Sequence, residues 1–334
     1  MFVQEYNLWE IQPRINLPNA FLLGETPFRW LNVRVSNEVF TPESLPRLLP
    51  GRTRYGVIGF PIAHSLSPFL HHAGFQALGL DAEYLRIEIS PENLGTSISQ
   101  LMQKGFHGWN CTLPHKNSMF SLVDQLDPTA AEAKSVNTVL VVGNKLQGFS
   151  TDALGWRAAV DDVWKINLSK SRILILGCGG VGQTLARHLA RSGCESLILV
   201  NRDPKKAQTL VQELESFATG RFSLQTIGWQ SRELESALRE TDLLIQGTSL
   251  GLKIDDPLPI DPSRLSQGLK IYDTVYRKDF TPLVQAARKH GLQAEDGLGM
   301  LLHQGALSFT IWTGQKAPLQ KMRQALHQAA GRVL

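Results

Sequence analysis

Residues 172–182, RILILGCGGVG, decide the fold of this chain of 334 residues. The apolar run RILIL passes directly into a glycine-rich turn, GCGGVG at 177–182, and a helical pattern, QTLARHLARSG, follows. In such a strand–turn–helix the glycines let the backbone approach a pyrophosphate, and the unpaired amides of the helix face that anion. The segment predicts a parallel α/β domain that binds a dinucleotide. The alternative is a tight turn that binds nothing.

Further strands and helices continue the alternating pattern after this turn. They are strand SLILV at 196–200, a helix from Pro204, helix ELESALRE at 233–240, strand DLLIQG at 242–247, strand LKIYD at 269–273 and helix PLVQAARKH at 282–290. Strands that alternate with helices form parallel sheets covered on both faces. We therefore expect a doubly wound (Rossmann) domain over residues 154–296.

A second alternating series precedes the glycine-rich turn. Its elements are strand RYGVIG at 54–59, helix SPFLHHAGFQALG at 67–79, strand AEYLRIEI at 82–89, helix PENLGTSISQLMQKG at 91–105, strand FHGWNCTL at 106–113, a short helix after Pro114, a hairpin turning at Gly143–Asn144 and a helix over 152–163. This β-α-β pattern predicts a second α/β domain. Helical segments at 299–313 and after Pro318 are apolar on one face and must pack on an existing surface. We therefore assign residues 52–153 plus 297–334 to this domain.

The first 51 residues form an N-terminal extension of unknown role. Prolines punctuate it, and neither a helical nor a strand period is sustained. It is interpreted as an appendage, and a contact with another subunit or partner is the alternative.

Composition narrows the function classes. A hydrophobic share of 43% and a charged share of 19% are typical of a soluble globular protein, and no stretch is apolar enough to span a membrane. Lys and Arg are scattered despite a net charge of +4, so nucleic acid is not an expected partner. Cys111, Cys178 and Cys194 have neither disulfide-framework nor metal-ligand spacing. The prediction is a cytoplasmic protein without a metal site.

The residues after strand SLILV bear on the choice of dinucleotide. Asn201 and Arg202 stand where NAD sites carry an acid, and an arginine suits a 2′-phosphate. Asp203 would repel that phosphate if it faced the site, whereas Lys205 and Lys206 would compensate. NADP is expected, with NAD as the alternative.

Polar side chains follow two strands of the first domain. Ser65 and Ser67, in GFPIAHSLSP, offer two hydroxyls to a polyhydroxylated acid, although Ser67 before a proline also suits a helix N-cap. Asn110, Thr112 and Lys116, in WNCTLPHK, present an amide, a hydroxyl and an ammonium where open α/β sheets bind ligands. A solvated surface lysine is the alternative for Lys116.

A carboxylate strengthens the catalytic interpretation of Lys116. Asp152 starts a predicted helix in STDALG, and Asn137 in SVNTV begins the preceding hairpin. Carbonyl reduction needs a proton for the alkoxide that forms, and an ammonium oriented by a carboxylate supplies one. The alternative for Asp152 is a helix-start acid favoured by the macrodipole.

Taken together, these motifs resemble those of the shikimate dehydrogenase family from about Arg54 to Leu334. GFPIAHSLSP resembles the family's G-x-P-I-x-H-S-x-S-P, WNCTLPHK its G-x-N-V-T-x-P-x-K, SVNTV its A-V-N-T, FSTDALG its x-N-T-D-x-x-G, and DGLGMLLHQG its D-G-x-x-M-L-x-x-Q. The resemblance implies reversible NADPH-dependent reduction of 3-dehydroshikimate to shikimate in aromatic amino acid (chorismate) biosynthesis, by a monomer or homodimer.

The resemblance also implies roles for individual residues. Lys116 and Asp152 are implied as the catalytic pair. Substrate binding is implied for Ser65, Ser67, Asn110, Thr112, Asn137, Tyr276 and Gln304. Cofactor binding is implied for Gly177, Gly179, Gly180, Val181, Gly182, Asn201, Arg202, Asp203, Lys206, Thr248 and Gly297.

Two departures keep alternatives open. Asp203 stands where NADP-using members typically have threonine, which favours an NAD-using quinate/shikimate dehydrogenase of catabolic type. Ser67 stands where quinate-oxidising members tend to have threonine, which favours shikimate. A ligand sensor on the same scaffold, without catalysis, would be expected to lack the Lys116–Asp152 pair.

Overall fold

The computed structural model describes residues 37–216, 222–253 and 255–332, and its first half is built on a seven-stranded sheet. The strands are β1 Val39–Phe40, β2 Thr53–Gly59, β3 Ala82–Glu88, β4 Phe106–Cys111, β5 Gln125–Leu126, β6 Thr138–Val142 and β7 Lys145–Phe149. The helices are α1 Ser67–Ala77, α2 Leu94–Gln103, α3 Lys116–Phe120, α4 Pro128–Ala133 and α5 Asp152–Val163. The strand order is β1-β3-β2-β4-β6-β7-β5, in which β6 is antiparallel to β4 and β7.

A six-stranded parallel sheet forms the second half. Its strands are β8 Arg172–Leu176, β9 Ser196–Asn201, β10 Ser223–Gly228, β11 Leu243–Gln246, β12 Lys270–Asp273 and β13 Gln293–Glu295. The helices from here to the C-terminus are α6 Gly180–Ser192, α7 Pro204–Glu215, α8 Arg232–Glu240, α9 Pro282–Lys289, α10 Leu298–Thr313 and α11 Leu319–Ala329. The strand order β10-β9-β8-β11-β12-β13 is doubly wound, so the α/β fold with a Rossmann-type half is confirmed.

Both faces of the second sheet are buried, which explains the continuous apolar run in β8. Ile173 and Ile175 pack into one apolar cluster with α6, whereas Leu174 and Leu176 pack into another with α8 and α9. Successive side chains of a strand point to opposite faces, so a strand covered on both faces must be apolar throughout.

Strand order also fixes where ligands bind. In the first sheet β2 lies between β3 and β4, and in the second β8 lies between β9 and β11. The chain passes from β2 to β3 on one side and returns to β4 on the other, and it passes from β8 to β9 and later returns to β11 in the same way. Crossovers that run in opposite directions on the two sides of a strand open a crevice at its carboxyl end. The turns after β2, β4 and β8 all carry predicted site motifs.

The last two helices pack on the helices of the first sheet. Helix α10 lies against α5 and α1, and α11 lies against α1. Met322 and Leu326 of α11 are fully buried in a cluster that includes Phe75 and Phe309. The division of domains at residues 52–153 plus 297–334 and 154–296 stays a prediction.

Part of the predicted N-terminal extension lies against the first sheet; residues 1–36 are outside the described ranges. Strand β1 pairs in parallel with β3, and Leu45 is buried in the cluster that contains Ile87. Arg54, 1% exposed, donates to the backbone oxygen of Pro46 at 2.8 Å. The described part of the extension is therefore an ordered border of the sheet.

Five short or polar elements escape the sequence patterns. Strands β1 and β5 have two residues each and β13 has three, too few to show a period. Helix α4 has six residues, and edge strand β10 buries only Ile227. Within the described ranges, no helix is long and apolar enough to cross a bilayer.

Candidate active site

A lysine–aspartate pair lies at the carboxyl ends of the first sheet. Lys116 begins α3 after β4, and Asp152 begins α5 after β7, so neighbouring regions of the sheet deliver the two side chains. Lys116 Nζ lies 2.6 Å from Asp152 Oδ2, and the side chains are 21% and 5% exposed. The buried carboxylate orients the ammonium while leaving it accessible from the crevice.

Asn137 holds the other oxygen of that carboxylate. Its Nδ2 donates to Asp152 Oδ1 and to Thr151 Oγ1, both at 2.9 Å. Its Oδ1 accepts from the backbone N–H of Thr151 at 2.8 Å. Both oxygens of Asp152 are thereby fixed in place before any ligand binds.

Asn110 extends this polar network across the sheet. Its Nδ2 has three acceptors within hydrogen-bond distance for its two hydrogens: the backbone oxygen of Asn137 at 3.1 Å, Thr138 Oγ1 at 3.0 Å and Ser308 Oγ at 2.9 Å. The hydroxyl of Tyr84 donates to Asn110 Oδ1 at 2.7 Å. The sequence patterns did not single out Tyr84, Thr138 or Ser308, although Thr138 directly follows Asn137.

Gln304 and Ser308 come from the returning helix α10. Gln304 Oε1 lies 3.3 Å from Asn137 Nδ2, and Gln304 Nε2 donates to the backbone oxygen of Leu301 at 2.9 Å. Ser308 lies one turn further along the same helix face and donates to the backbone oxygen of Gln304 at 3.0 Å. That helical spacing is the signal by which Ser308 could have been found.

The turn after β2 brings Ser65 and Ser67 into the buried part of the crevice, each 5% exposed. Ser67 is the first residue of α1 and Leu66 is its N-cap, and the backbone N–H of Ser67 donates to Ser65 Oγ at 3.4 Å. The N-cap alternative for Ser67 is therefore wrong. Tyr276, from the loop after β12, hydrogen-bonds with the backbone of Leu66, and burial raises the pKa of its hydroxyl.

Thr112 stands directly after β4, beside the turn after β2. Its backbone N–H donates to the oxygen of Ile58 at 2.9 Å, and a Cβ on Gly59 would lie 2.5 Å from its methyl carbon. The structure thus brings Thr112 close to the segment that carries the two serines.

The glycine-rich turn joins β8 to α6. Gly177 has a φ of +96°, which favours glycine, and Gly179 is the N-cap of α6. A Cβ on Gly182 would lie 1.9 Å from the Gly177 oxygen, whereas a Cβ on Gly180 would meet nothing within 4 Å. Val181 packs at the border of the core. The turn thus has no room for a side chain between Gly182 and Gly177 but has open space beside Gly180, which fits a pyrophosphate at the start of α6.

The segment after β9 has two tasks. Asn201 Oδ1 accepts from the backbone N–H of Cys178 at 3.1 Å and so supports the glycine-rich turn. Asp203 is the N-cap of α7, and its Oδ1 accepts from the N–H of Lys205 at 3.1 Å. Arg202, Lys205 and Lys206 are exposed. The carboxylate of Asp203 therefore caps its own helix, and three exposed cations lie next to it in the sequence.

Thr248 and Gly297 complete the predicted cofactor set. The methyl carbon of Thr248 would lie 2.5 Å from a Cβ on Gly177, so Thr248 packs against the glycine-rich turn. Gly297 precedes α10, and a Cβ there would lie 2.3 Å from the oxygen of Thr274. Within the described ranges, no group of three or more His, Cys, Asp or Glu side chains is placed to hold a metal ion.

Asp273, at the end of β12, gives a pH prediction. It is 1% exposed, and burial raises its pKa to about 7 although Thr281 Oγ1 donates to it at 2.6 Å. A carboxyl whose pKa is raised by folding stabilises the protein below its unfolded pKa of 3.8, and this contribution is lost as pH rises to about 7.

The expected result is a free energy of unfolding that falls over this range, by up to about 1.4 kcal/mol per pH unit from this group. The difference between wild type and Asp273→Asn in urea denaturation at several pH values measures it. Parallel curves for the two proteins would contradict the prediction.

Three family models match successive parts of the chain. They are the shikimate dehydrogenase substrate binding domain at residues 57–139, shikimate / quinate 5-dehydrogenase at 160–256 and the shikimate 5′-dehydrogenase C-terminal domain at 297–327. Together they cover parts of both sheets and most of the two returning helices.

Individual relatives agree with these matches. The shikimate dehydrogenase (NADP(+)) of Methanopyrus kandleri is 35% identical over 273 residues, 81% of this chain and 93% of that protein. The Thermus thermophilus shikimate 5-dehydrogenase, crystallised with NADP(H) and shikimate, has a TM-score of 0.73 and 34% identity over 83% of this chain and 99% of its own. A quinate dehydrogenase from Corynebacterium glutamicum in complex with NAD has a TM-score of 0.74 and 27% identity, covering 83% and 99%. The identity and coverage show that the chain belongs to the shikimate dehydrogenase family.

Proposed function

We propose that this protein catalyses the reversible NADPH-dependent reduction of 3-dehydroshikimate to shikimate, in aromatic amino acid biosynthesis. The contact between Lys116 Nζ and Asp152 Oδ2 at 2.6 Å carries the proposal. An ammonium held by a buried carboxylate, at the crevice where hydroxyl and amide side chains converge, suits proton delivery to a polyhydroxylated substrate. A sensor that only binds its ligand has no need of this pair.

Each side chain has a definite task in the proposed reaction. The dinucleotide, when bound, supplies the hydride to the carbonyl carbon. Lys116 donates a proton to the carbonyl oxygen, so the carbonyl becomes a secondary alcohol, and in the oxidative direction Lys116 accepts that proton. Asp152 orients the ammonium and offsets its charge, and Asn137 fixes Asp152.

The remaining predicted residues bind and orient the ligands in this proposal. Ser65, Ser67 and Tyr276 lie together at one side of the substrate position, and Asn110, Thr112 and Gln304 lie toward the catalytic pair. The glycine-rich turn and Thr248 hold the dinucleotide. We place the substrate at the first sheet, residues 52–153 plus 297–334, and the dinucleotide at the second, residues 154–296.

NADP is the proposed cofactor. Asp203 accepts from the N–H of Lys205 and caps α7, which supports a role in helix capping. The exposed cations Arg202, Lys205 and Lys206 surround it and suit a 2′-phosphate. We place the reaction in the cytoplasm, in a monomer or homodimer, without nucleic acid or membrane as a partner.

Initial rates with two substrates and two dinucleotides test this function. Shikimate with NADP⁺ is expected to exceed quinate or NAD⁺ pairings in kcat/KM by more than about tenfold, which is roughly 1.4 kcal/mol of transition-state preference. A higher kcat/KM with NAD⁺ or with quinate would make Asp203 the residue that decides the choice of cofactor and would indicate the catabolic type. A protein that binds shikimate without turnover in any pairing would be a sensor.

A further inference from the structure

The C-terminal end of the chain makes a buried contact with the junction between the two halves. Arg332 follows α11, and its guanidinium forms a forked ion pair with Asp296 just before α10. Its Nη1 donates to Asp296 Oδ1 at 3.0 Å, and Nη2 contacts Oδ2. The two side chains are 10% and 2% exposed. A forked ion pair forms in only one relative orientation of its two side chains. This buried contact therefore fixes the position of Arg332 relative to Asp296.

The same guanidinium holds a loop of the second half. Its Nη2 also donates to the backbone oxygen of Arg277 at 2.9 Å. The ring of Phe280 lies 4.1 Å from the guanidinium carbon. Arg332 therefore contacts residues 277–280 twice, through a hydrogen bond to the backbone and through the aromatic ring of Phe280.

Asp296 ties this loop to the beginning of α10. Its Oδ1 accepts from the backbone N–H of Leu298 at 3.1 Å. The N–H of Gly297 donates to the oxygen of Val275 at 2.9 Å, and a Cβ on Gly297 would collide with Thr274. Residues 274–277 and the start of α10 thus form one hydrogen-bonded unit, and Arg332 bonds to both of its segments.

Two candidate substrate residues extend from this unit. Tyr276 reaches the backbone of Leu66, between the two serines of the first half. Gln304, two turns into α10, reaches Asn137 beside Asp152. We propose that Arg332 is a positioning residue for substrate binding, which fixes Tyr276 and Gln304 relative to the serines and the catalytic pair. This inference rests on the proposed function of those two residues.

The geometry makes shikimate binding the property that Arg332 controls. Among the described residues, Arg332 bonds neither to the glycine-rich turn nor to residues 201–206, and its one link to the predicted cofactor set is through Asp296, which directly precedes Gly297. The dinucleotide site is therefore expected to depend on Arg332 less than the substrate site does. A misplacement of about 1 Å in a binding group can cost up to about a hundredfold in rate, so the loss of one fastening contact is expected to be visible in kinetics.

Arg332→Ala, Arg332→Lys and the control Arg323→Ala are to be compared in shikimate oxidation with NADP⁺. Arg323 is also on α11, and its replacement removes a more exposed ion pair, 2.7 Å from Asp162 Oδ2 of α5, which does not involve residues 274–280. Arg332→Ala is expected to raise KM for shikimate roughly tenfold and to raise KM for NADP⁺ by a smaller factor. Arg323→Ala is expected to lower the melting temperature at most and to leave both KM values unchanged.

Arg332→Lys keeps the charge beside Asp296 but lacks the fork, so we expect it to fold and to raise KM for shikimate at least about threefold. It decides the test if Arg332→Ala does not fold. A shikimate KM within about twofold of wild type in a folded Arg332 variant, with only the melting temperature lowered, overturns the inference alone. A wild type that neither oxidises nor binds shikimate overturns the proposed function, and this inference with it.

Discussion

Replacement of Lys116 by alanine is expected to lower kcat by roughly 10² to 10⁴, the usual value of a positioned acid–base group, with little change in substrate affinity. The reason is that Nζ, 2.6 Å from Asp152 Oδ2, is the group placed to move a proton to or from the reacting oxygen. The surrounding hydroxyl and amide groups, which bind the substrate in our proposal, are left in place. Steady-state rates of shikimate oxidation, with binding measured separately by calorimetry, test both statements.

Lys134 offers a matched control. It forms an ion pair with Glu213 at 2.9 Å, but its side chain is 50% exposed. Lys134→Ala should therefore leave kcat unchanged, since it removes a lysine–carboxylate pair away from the crevice. Turnover close to wild type in Lys116→Ala would remove Lys116 from the mechanism.

Gly182→Ala is expected to destabilise the protein by about 3 kcal/mol and to abolish dinucleotide binding at ordinary concentrations. The added Cβ would lie 1.9 Å from the backbone oxygen of Gly177, and neither backbone segment can move without opening the turn between β8 and α6. Urea denaturation and a titration with NADP⁺ measure the two effects.

Gly180→Ala is the control for this steric argument, because a Cβ there meets nothing within 4 Å. Its stability should equal that of wild type. If Gly182→Ala were as stable as Gly180→Ala and bound NADP⁺ normally, the tight approach of Gly182 to Gly177 would not be a requirement of the site.

The main elements and the proximity of Lys116 to Asp152 could be predicted because their signals are local. RILIL and GCGGVG have a period and a turn composition that stand out within a dozen residues, and helix Asp152–Val163 begins and ends as the pattern predicts. Lys116 and Asp152 could be associated because parallel strands bring their carboxyl ends to one edge of a sheet.

The polar network around Asn110 escaped prediction because it joins distant residues. The hydrogen bond between Asn110 and Ser308 joins residues 198 positions apart, and no pattern around either residue points to the other. Asp203 was interpreted by its charge, whereas its position before a proline at the start of α7 makes it a helix cap. Local patterns predict elements and strand ends, but tertiary packing decides which polar groups meet.

The strands at the edges of the two sheets have a consequence for self-association. Three of the four outermost strands in the described ranges, β1, β5 and β13, have only two or three residues. An outermost strand offers unpaired backbone groups to any other strand, and short ones offer too few for stable pairing between molecules. Strand β1 pairs with Arg86 and Ile87 near the end of the seven-residue β3, so a chain starting at residue 52 would expose the backbone groups at these two positions. The ordered end of the N-terminal extension therefore lengthens the sheet by a strand too short to offer stable pairing to another molecule.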